Sequence, residues 1–200
     1  PAAGSTTSGA QAPAGSSTEK SVAGPLNTGA AISMTTMYLA RIARQDLLSA
    51  VGRIATHLTK WDETNDKQLF RLVSYPEQPK YDRQIGFVGE GPTDLRLVVY
   101  SDADFARDRA TMKSTTGIFL VLVGPHSFCP LGAVSKKQTA QSHSTVEAEI
   151  VAAYDAIRSE GIPALDLWEV ILGRLPSLTL MEDNQSTVQI IKSGKFPKLR

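Results

Sequence analysis

The apolar residues of the chain follow two different patterns in two parts of the sequence. From Leu39 to Val73 they recur at steps of three and four residues, which is the spacing of one face of an α-helix. From Leu95 onward they stand in short, nearly continuous runs separated by polar turns, as in strands buried within a sheet. Residues 1–30 show neither pattern. The chain therefore divides into a polar segment, a helical segment and an α/β part.

The polar segment, residues 1–30, consists mainly of glycine, alanine, serine, threonine and proline. A segment with so few large apolar side chains buries too little surface to offset the entropy that it loses on ordering. We therefore predict a disordered linker over residues 1–30.

Residues 31–90 are predicted to form a small helical unit, in which the apolar stripe from Leu39 to Leu58 lies along one long helix or two shorter ones. The apolar stripe continues past the polar turn Asp62–Asp66, and Pro76 and Pro79 end it. The apolar positions of the stripe are Leu39, Ile42, Leu47, Leu48, Val51, Ile54, Leu58, Leu69, Leu72 and Val73. A packing role explains all of them.

Residues 91–200 are predicted to form an α/β domain in which helices flank a mixed sheet. Leu95–Tyr100 is apolar enough for a central strand. Gly117–Val123 and Phe128–Val134 follow it through tight turns, which favour antiparallel pairing. Leu178–Asp183 comes after a helical stretch, and this favours a parallel strand beside the first one.

Three helices are expected between and after these strands. Ser144 and Glu147 fit a capping box, in which the hydroxyl accepts a backbone N–H and the glutamate reaches back. The small side chains that follow permit a close approach of this helix to the sheet. A second helix is predicted over Ala164–Leu172 and a last one over Gln185–Lys192.

Carboxylates stand on three of these elements. Asp102 ends the first strand, Glu149 lies in the capped helix and Asp183 ends the fourth strand. Carboxylates fixed on stiff elements can converge on hard divalent cations, and two such ions form the metal site of many nucleases. Glu147 is ~200° away from Glu149 around the helix, so its capping role leaves Glu149 as the ligand. Asp102 shares strand parity with Val98, where an ionised group is costly without a cation or a donor.

Each acid also has a structural explanation. Asp102 could be a turn residue at a strand end, Glu149 a solvated helix residue, and Asp183 or Asn184 the cap of the last helix. The metal site is favoured only by the three acids taken as an ordered set.

The residues around these acids form a series of motifs that resembles a known family. Five motifs follow one another in order and spacing, and a sixth segment upstream extends the resemblance to about residues 35–200. They are Tyr100–Phe105, Lys113–Gly117, Ser135–Gln138, Ser144–Glu149, Glu182–Ser186 and, upstream, Tyr38–Val51. The series is similar to the ribonuclease H region, with the end of the reverse transcriptase segment, of the Pol polyprotein of copia-type LTR retrotransposons.

The resemblance implies a fold and an activity. The fold is a ribonuclease H-like mixed sheet flanked by helices, preceded by the helical remnant of the reverse transcriptase. The implied enzyme is an endonuclease that hydrolyses the RNA strand of RNA–DNA hybrids during reverse transcription, with two Mg²⁺ ions. Asp102 would bridge both ions, while Glu149 and Asp183 would each hold one. Ser101 and Asn184 would orient these ligands by hydrogen bonds.

The resemblance also implies partners. These are an RNA–DNA hybrid and the reverse transcriptase portion of the same polyprotein, with no membrane involved. Candidate nucleic-acid contacts, which could equally be a solvated basic face, are Arg107, Arg109, Lys113, Lys136 and Lys137. The family pattern continues beyond Arg200 with a fourth acid, a strand and a helix. We therefore expect a C-terminally incomplete domain whose metal binding is weakened and whose activity is low or absent.

Composition excludes some classes of protein but does not identify the function. A net charge of +1 excludes a strongly basic protein that coats nucleic acid through its overall field. The single cysteine, Cys129, forms no internal disulfide, and three scattered histidines give no zinc spacing, so a reducing, intracellular setting is expected. No run approaches the ~20 apolar residues of a membrane span.

Two other hypotheses stay open. A non-catalytic relic or domesticated module could keep the ribonuclease H-like fold as an interaction surface. An integrase-like strand transferase could share the fold, although its glutamate would come last, whereas Glu149 here stands between the two aspartates.

Overall fold

The computed structural model describes residues 25–75, 84–108 and 110–195, with side chains from residue 28 onward. Most of the predicted linker, both prolines predicted to end the helical unit, Arg109 and the last five residues lie outside the described residues. The elements in chain order are α1 (Pro25–Ile42), α2 (Leu48–Ala55), α3 (Glu63–Ser74), β1 (Arg96–Asp108), β2 (Lys113–Val123), β3 (Phe128–Lys137), α4 (Thr145–Asp155), α5 (Ile162–Leu172), β4 (Leu178–Met181) and α6 (Gln185–Ser193).

The strands form one mixed four-stranded sheet in the order β3-β2-β1-β4. β1 pairs with β2, and β2 with β3, in antiparallel fashion, whereas β4 lies parallel to β1. The predicted α/β class, with a mixed sheet flanked by helices, is confirmed. The pairing directions expected from the turn lengths are confirmed as well.

β1 is longer than the apolar pattern predicts. Asp102 was expected to end this strand, but the strand continues to Asp108. Its polar second half pairs with the equally polar start of β2, and the register shifts between Asp104 and Asp108, where Ala106 has a φ of 49°. Backbone pairing holds this extension, in which only Ala103 is buried, so a hydrophobic pattern does not reveal it.

The main core lies on one face of the sheet. Leu97 and Val99 of β1 pack with Leu120 and Leu122 of β2 and with residues of the overlying helices. α4 meets the sheet through small side chains, since Ala148 and Ala152 form a cluster with Ala103 of β1. Alanine contacts let the helix axis approach the strands closely, as the small residues predicted.

The two helices expected around Pro163 form one continuous helical run. Six residues, Ala156–Gly161, form a π-helical turn between α4 and α5, and the N–H of Ile162 bonds to the carbonyl of Ile157. A proline in a regular α-helix lacks an N–H and clashes with the carbonyl four residues earlier. The wider π turn just before Pro163 accommodates this proline, so the helix continues through it.

Among its described residues the N-terminal unit contains three α-helices: α1 and α2 on the first part of the stripe, where one long or two shorter helices were predicted, and α3 after the polar turn. α1 begins at Pro25, inside the predicted linker, and a proline at the first helical position loses no hydrogen bond. The backbone of Arg44 leaves the helical region, and Asp62 caps α3 by accepting the N–H of Asn65 at 2.9 Å. The buried hydrophobic side chains of this unit are Ala40, Leu47, Leu48, Val51, Ile54, Leu69 and Leu72, against which Ala133 of β3 packs. Most of the predicted stripe is therefore packed, but Leu39, Ile42 and Val73 are exposed, so a packing role does not explain all of it.

Within residues 25–75, 84–108 and 110–195, no helix combines the length and the apolar character needed to cross a membrane.

Arg174 joins the segment before β1 to the segment before β4. Its guanidinium donates to the carbonyl oxygens of Pro92 at 2.5 and 2.9 Å, Thr93 at 2.9 Å and Leu95 at 2.6 Å. Hydrogen bonds from a charged group contribute about 1.5–3 kcal/mol each when the acceptors are otherwise unpaired. We expect Arg174→Ala to lower the free energy of unfolding by about 2–4 kcal/mol, measured by urea denaturation.

Arg158→Ala is the matched control, because the exposed Arg158 donates to a single phenolic oxygen, that of Tyr154, at 2.9 Å. Its loss is expected to cost less than about 1 kcal/mol. Equal effects of the two substitutions would show that Arg174 has no special part in the fold.

Candidate metal centre

Three carboxylates from three elements meet at one edge of the sheet. Asp102 of β1, Glu149 of α4 and Asp183 after β4 each present an oxygen, and these oxygens lie within 4.8 Å of one another. The structure therefore brings together the three acids that the sequence singled out.

The meeting point exists because β4 is short. Its pairing with β1 ends where Met181 lies opposite Tyr100, so β1 continues beyond it with an open edge. Glu149 reaches this edge from α4. The contact of Ala103 with Ala148 and Ala152 brings α4 close to β1 at this point. Asp183 arrives at the same place because it follows β4 directly.

Gln138 fixes the position of α4. Its buried side-chain amide donates to the carbonyl oxygen of Ala148 at 2.9 Å and to the hydroxyl of Thr116 at 3.1 Å, and it accepts from Ser142 at 3.2 Å. One side chain thus ties β2 to the residue next to Glu149. The sequence contained Gln138 within a motif but did not reveal this role.

The capping box at the start of α4 is confirmed in its main part. The Ser144 hydroxyl accepts the N–H of Glu147 at 3.2 Å, and the Glu147 carboxylate accepts an N–H in return. That N–H belongs to His143, at 2.7 Å, one residue before the expected one. Glu147 is therefore engaged in capping, and Glu149 is the glutamate that faces the cluster.

Glu149 is the buried acid of the group, with only 5% of its surface exposed. Asp102 and Asp183 are exposed, so the expectation that Asp102 carries the cost of burial is wrong. Burial of Glu149, followed by the negative charges of Glu182, Asp102 and Asp183, raises the pKa of its carboxyl to about 7. Its Oε2 atom is buried and has no hydrogen-bond partner among the described residues.

Glu182 is a fourth acid that the sequence analysis missed. Its carboxylate accepts from the hydroxyl of Ser101 at 2.8 Å and from the N–H of Asn184 at 3.2 Å. Burial raises the pKa of Glu182, and the nearby charges of Asp183 and Asp102 add to the rise. Its place between a short strand and Asp183 was a signal that could have identified it.

Ser101 and Asn184 have different roles from those predicted. Their hydrogen bonds go to Glu182 rather than to the three acids of the cluster. The side chain of Asn184 accepts the N–H of Thr187 at 3.1 Å, so Asn184 caps α6 and Asp183 does not. Asp183 is consequently left free of a capping bond and faces the cluster.

The described basic residues predicted to contact nucleic acid lie toward the polar ends of β1, β2 and β3. Arg107 pairs with Asp104 at 2.7 Å, and Lys137 contacts the carboxylate of Asp108. Lys136 is exposed and Lys113 is half-buried. That these residues contact nucleic acid stays a prediction.

The raised pKa of Glu149 makes stability depend on pH in the metal-free protein. The folded protein keeps this carboxyl protonated up to a pH of about 7, whereas a glutamate with its ordinary value of 4.5 ionises in the unfolded chain. The contribution is therefore fully present below pH 4.5 and is lost as pH rises to about 7. A shift of this size corresponds to about 3 kcal/mol.

Urea denaturation in EDTA at pH 5 and at pH 8 tests this expectation. Glu149→Gln cannot ionise at this position, and part of the contribution is already lost at pH 5. We therefore expect the free energy of unfolding of this variant, relative to the unaltered protein, to rise by about 2.5 kcal/mol from pH 5 to pH 8. A difference that stays constant with pH would contradict the assigned burial of a titrating Glu149.

Comparison with known proteins shows that the chain has a relative among secreted effectors. The chain is 32% identical over 124 residues to the secreted RxLR effector protein 161 of Plasmopara viticola. The aligned region covers 60% of this chain and 80% of that protein. No family model matches the chain. No solved structure matches it either.

This relative corrects the function predicted from the sequence. It is a secreted effector and not a retrotransposon ribonuclease H, so the predicted hydrolysis of RNA–DNA hybrids during reverse transcription is wrong. The structure offers a physical reason, because several motif residues have structural roles: Ser144 caps α4, Asn184 caps α6 and Gln138 anchors α4. Such roles specify an arrangement of helices and strands more strongly than they specify a reaction.

With this identity and coverage, the chain belongs to the same family as the secreted RxLR effector protein 161 of Plasmopara viticola.

Proposed function

We propose that this chain is a divalent-cation-binding domain in which Asp102, Glu149 and Asp183 hold Mg²⁺. The observation that carries the proposal is the Oε2 atom of Glu149, which is buried, lacks a hydrogen-bond partner among the described residues and belongs to the cluster. A buried carboxylate oxygen without a donor is costly unless a cation meets it.

The donor set fits a hard cation. The ligands are carboxylate oxygens from three separate elements, and oxygen ligands are those that Mg²⁺ prefers. The cluster contains no histidine or cysteine, which would favour zinc instead. Two aspartates are exposed, so water can complete the coordination that Mg²⁺ usually retains.

The site residues would divide the work of holding the cation. Glu149 supplies the buried oxygen, and Asp102 and Asp183 supply the solvent-facing ones. Glu182, held by Ser101 and Asn184, adds negative charge beside them. When bound, Mg²⁺ would neutralise the cluster and supply a Lewis acid at the open edge of β1. We keep in this proposal the two Mg²⁺ ions that the sequence resemblance implied.

The proposal includes a ribonuclease H-like arrangement of the elements. A central β1 that pairs with the antiparallel β2 on one side and the parallel β4 on the other supports it. So does the placement of the three acids on the first strand, the first helix after β3 and the end of β4.

The relative suggests a setting for this site. Its name describes a secreted effector, and we extend that role to this chain as part of the proposal. A cation that neutralises mutually repelling carboxylates would make the edge of the sheet a rigid surface, which suits a protein that acts through binding.

Calorimetric titration of the metal-free protein with Mg²⁺ at pH 8 tests the cation site. We expect saturable binding that Asp102→Asn and Asp183→Asn each weaken at least tenfold, because each removes a charged ligand oxygen. The stoichiometry gives the number of ions. Saturating Mg²⁺ should also raise the free energy of unfolding by about 1–3 kcal/mol.

Glu169→Gln is the matched control, since Glu169 is an exposed acid on α5 outside the cluster. It removes the same charge and should leave Mg²⁺ affinity within about twofold, as expected for a distant exposed charge. Affinity should also fall below pH 7, because Mg²⁺ displaces the proton of Glu149. Undiminished binding by both aspartate variants, folded as judged by circular dichroism, would sink the proposal.

A further inference from the structure

A cavity of about 390 Å³ lies between α2 and the ends of β1, β2 and β3. One face of α2 forms a wall, through Ser49, Gly52, Arg53 and Thr56, which lie at steps of three and four residues. The opposite wall belongs to the sheet. The cavity is separate from the candidate metal centre, since none of Asp102, Glu149 and Asp183 lines it.

The ionic groups of this cavity are mainly positive. Among the described residues, three cations line it, Arg53, Arg107 and Lys137, against one carboxylate, that of Asp108. No described leucine, isoleucine, valine, methionine or aromatic residue contributes to the wall, so the apolar part of its surface comes from small residues and the carbon stems of long ones. Cationic groups at the ends of such stems suit a small anion.

We propose that this cavity binds a small phosphate-bearing anion. Two guanidinium groups offer paired N–H donors whose geometry matches phosphate oxygens, and Lys137 adds a mobile point charge. Thr115 and Ser135 bring hydroxyl groups to the sheet side of the same space. The three cations outnumber the two carboxylates beside them, Asp108 and Asp104, and this excess favours an anionic ligand.

The ion pairs that two of these cations make with carboxylates leave room for such a ligand. Arg107 uses one nitrogen to pair with Asp104, which leaves other N–H groups of its planar guanidinium available. Lys137 contacts Asp108, and both side chains are about one-third exposed, so an anion can reach the ammonium group. Arg53 is exposed on the α2 side.

Gly52 is the position of α2 from which a side chain would enter the cavity. A Cβ atom built there meets only a backbone oxygen, that of Ser135, at 3.9 Å, which is ordinary contact. A larger side chain at this position would therefore project into the cavity without a clash at its first atom. Glycine also costs about 1 kcal/mol in a helix relative to alanine, so filling the cavity need not destabilise α2.

The test is calorimetric titration with inorganic pyrophosphate in EDTA, without Mg²⁺. Its outcome is therefore independent of the proposed cation site. We expect saturable binding with one site per chain. Arg53→Gln and Lys137→Gln should each weaken binding at least fivefold, and Gly52→Leu should abolish it by filling the space.

Lys67→Gln is the charge-matched control, because Lys67 lies on α3 and pairs with Glu63 at 2.8 Å, outside the cavity. Its affinity for pyrophosphate should equal that of the unaltered protein. Urea denaturation of the Gly52→Leu variant checks that its fold is retained.

Two further probes define the ligand. Succinate should bind at least tenfold more weakly than pyrophosphate if phosphate is the recognised group. A short oligothymidylate distinguishes free phosphate compounds from the phosphates of a nucleic acid: tighter binding than pyrophosphate that is lost in Gly52→Leu assigns the site to the latter source. No pyrophosphate binding at millimolar concentration, equal binding of succinate, or unchanged binding by Arg53→Gln and Gly52→Leu overturns the proposal.

Discussion

Burial of carboxyl groups beside other acids at the open edge of β1 is the constraint around which this part of the fold is arranged. Burial is the main cause that raises the pKa values of Glu149 and Glu182, and the charges of neighbouring acids add to the rise. The Oε2 atom of Glu149 has no hydrogen-bond partner among the described residues. A sheet that merely needed a stable edge would place apolar or neutral side chains there.

The structure holds these acids together with neutral contacts elsewhere. Gln138 anchors α4 to β2, and alanine contacts bring the same helix close to β1. Ser101 and Asn184 orient Glu182 by hydrogen bonds. Neutral groups make each of these contacts, so the fold itself sets the positions of the acids. Such support from surrounding groups is what the proposed cation site requires.

The sequence predicted the features of the fold that depend on local residue patterns and on short connections between strands. Antiparallel pairing of β1, β2 and β3 followed from their turns, and the parallel β4 followed from the intervening helices. The convergence of Asp102, Glu149 and Asp183 followed from their positions on stiff elements. What escaped prediction depends on tertiary contact: the burial of Glu149 instead of Asp102, the extension of β1 to Asp108, and the roles of Gln138 and Glu182. The predicted function failed because capping and anchoring residues carried much of the resemblance.

The π-helical turn Ala156–Gly161 also fixes the relative rotation of α4 and α5. Each residue of an α-helix advances the side-chain direction by about 100°. The extra residue held in the wide turn therefore sets the angular phase between the face that carries Glu149 and the face through which Ala164 joins the main core. The number of residues in this turn therefore matters. Removal of one residue would rotate α5 about its axis while leaving its helical content intact. The continuous helix thus holds the acidic edge and the hydrophobic core in a fixed relative orientation, and one π-helical turn determines that orientation.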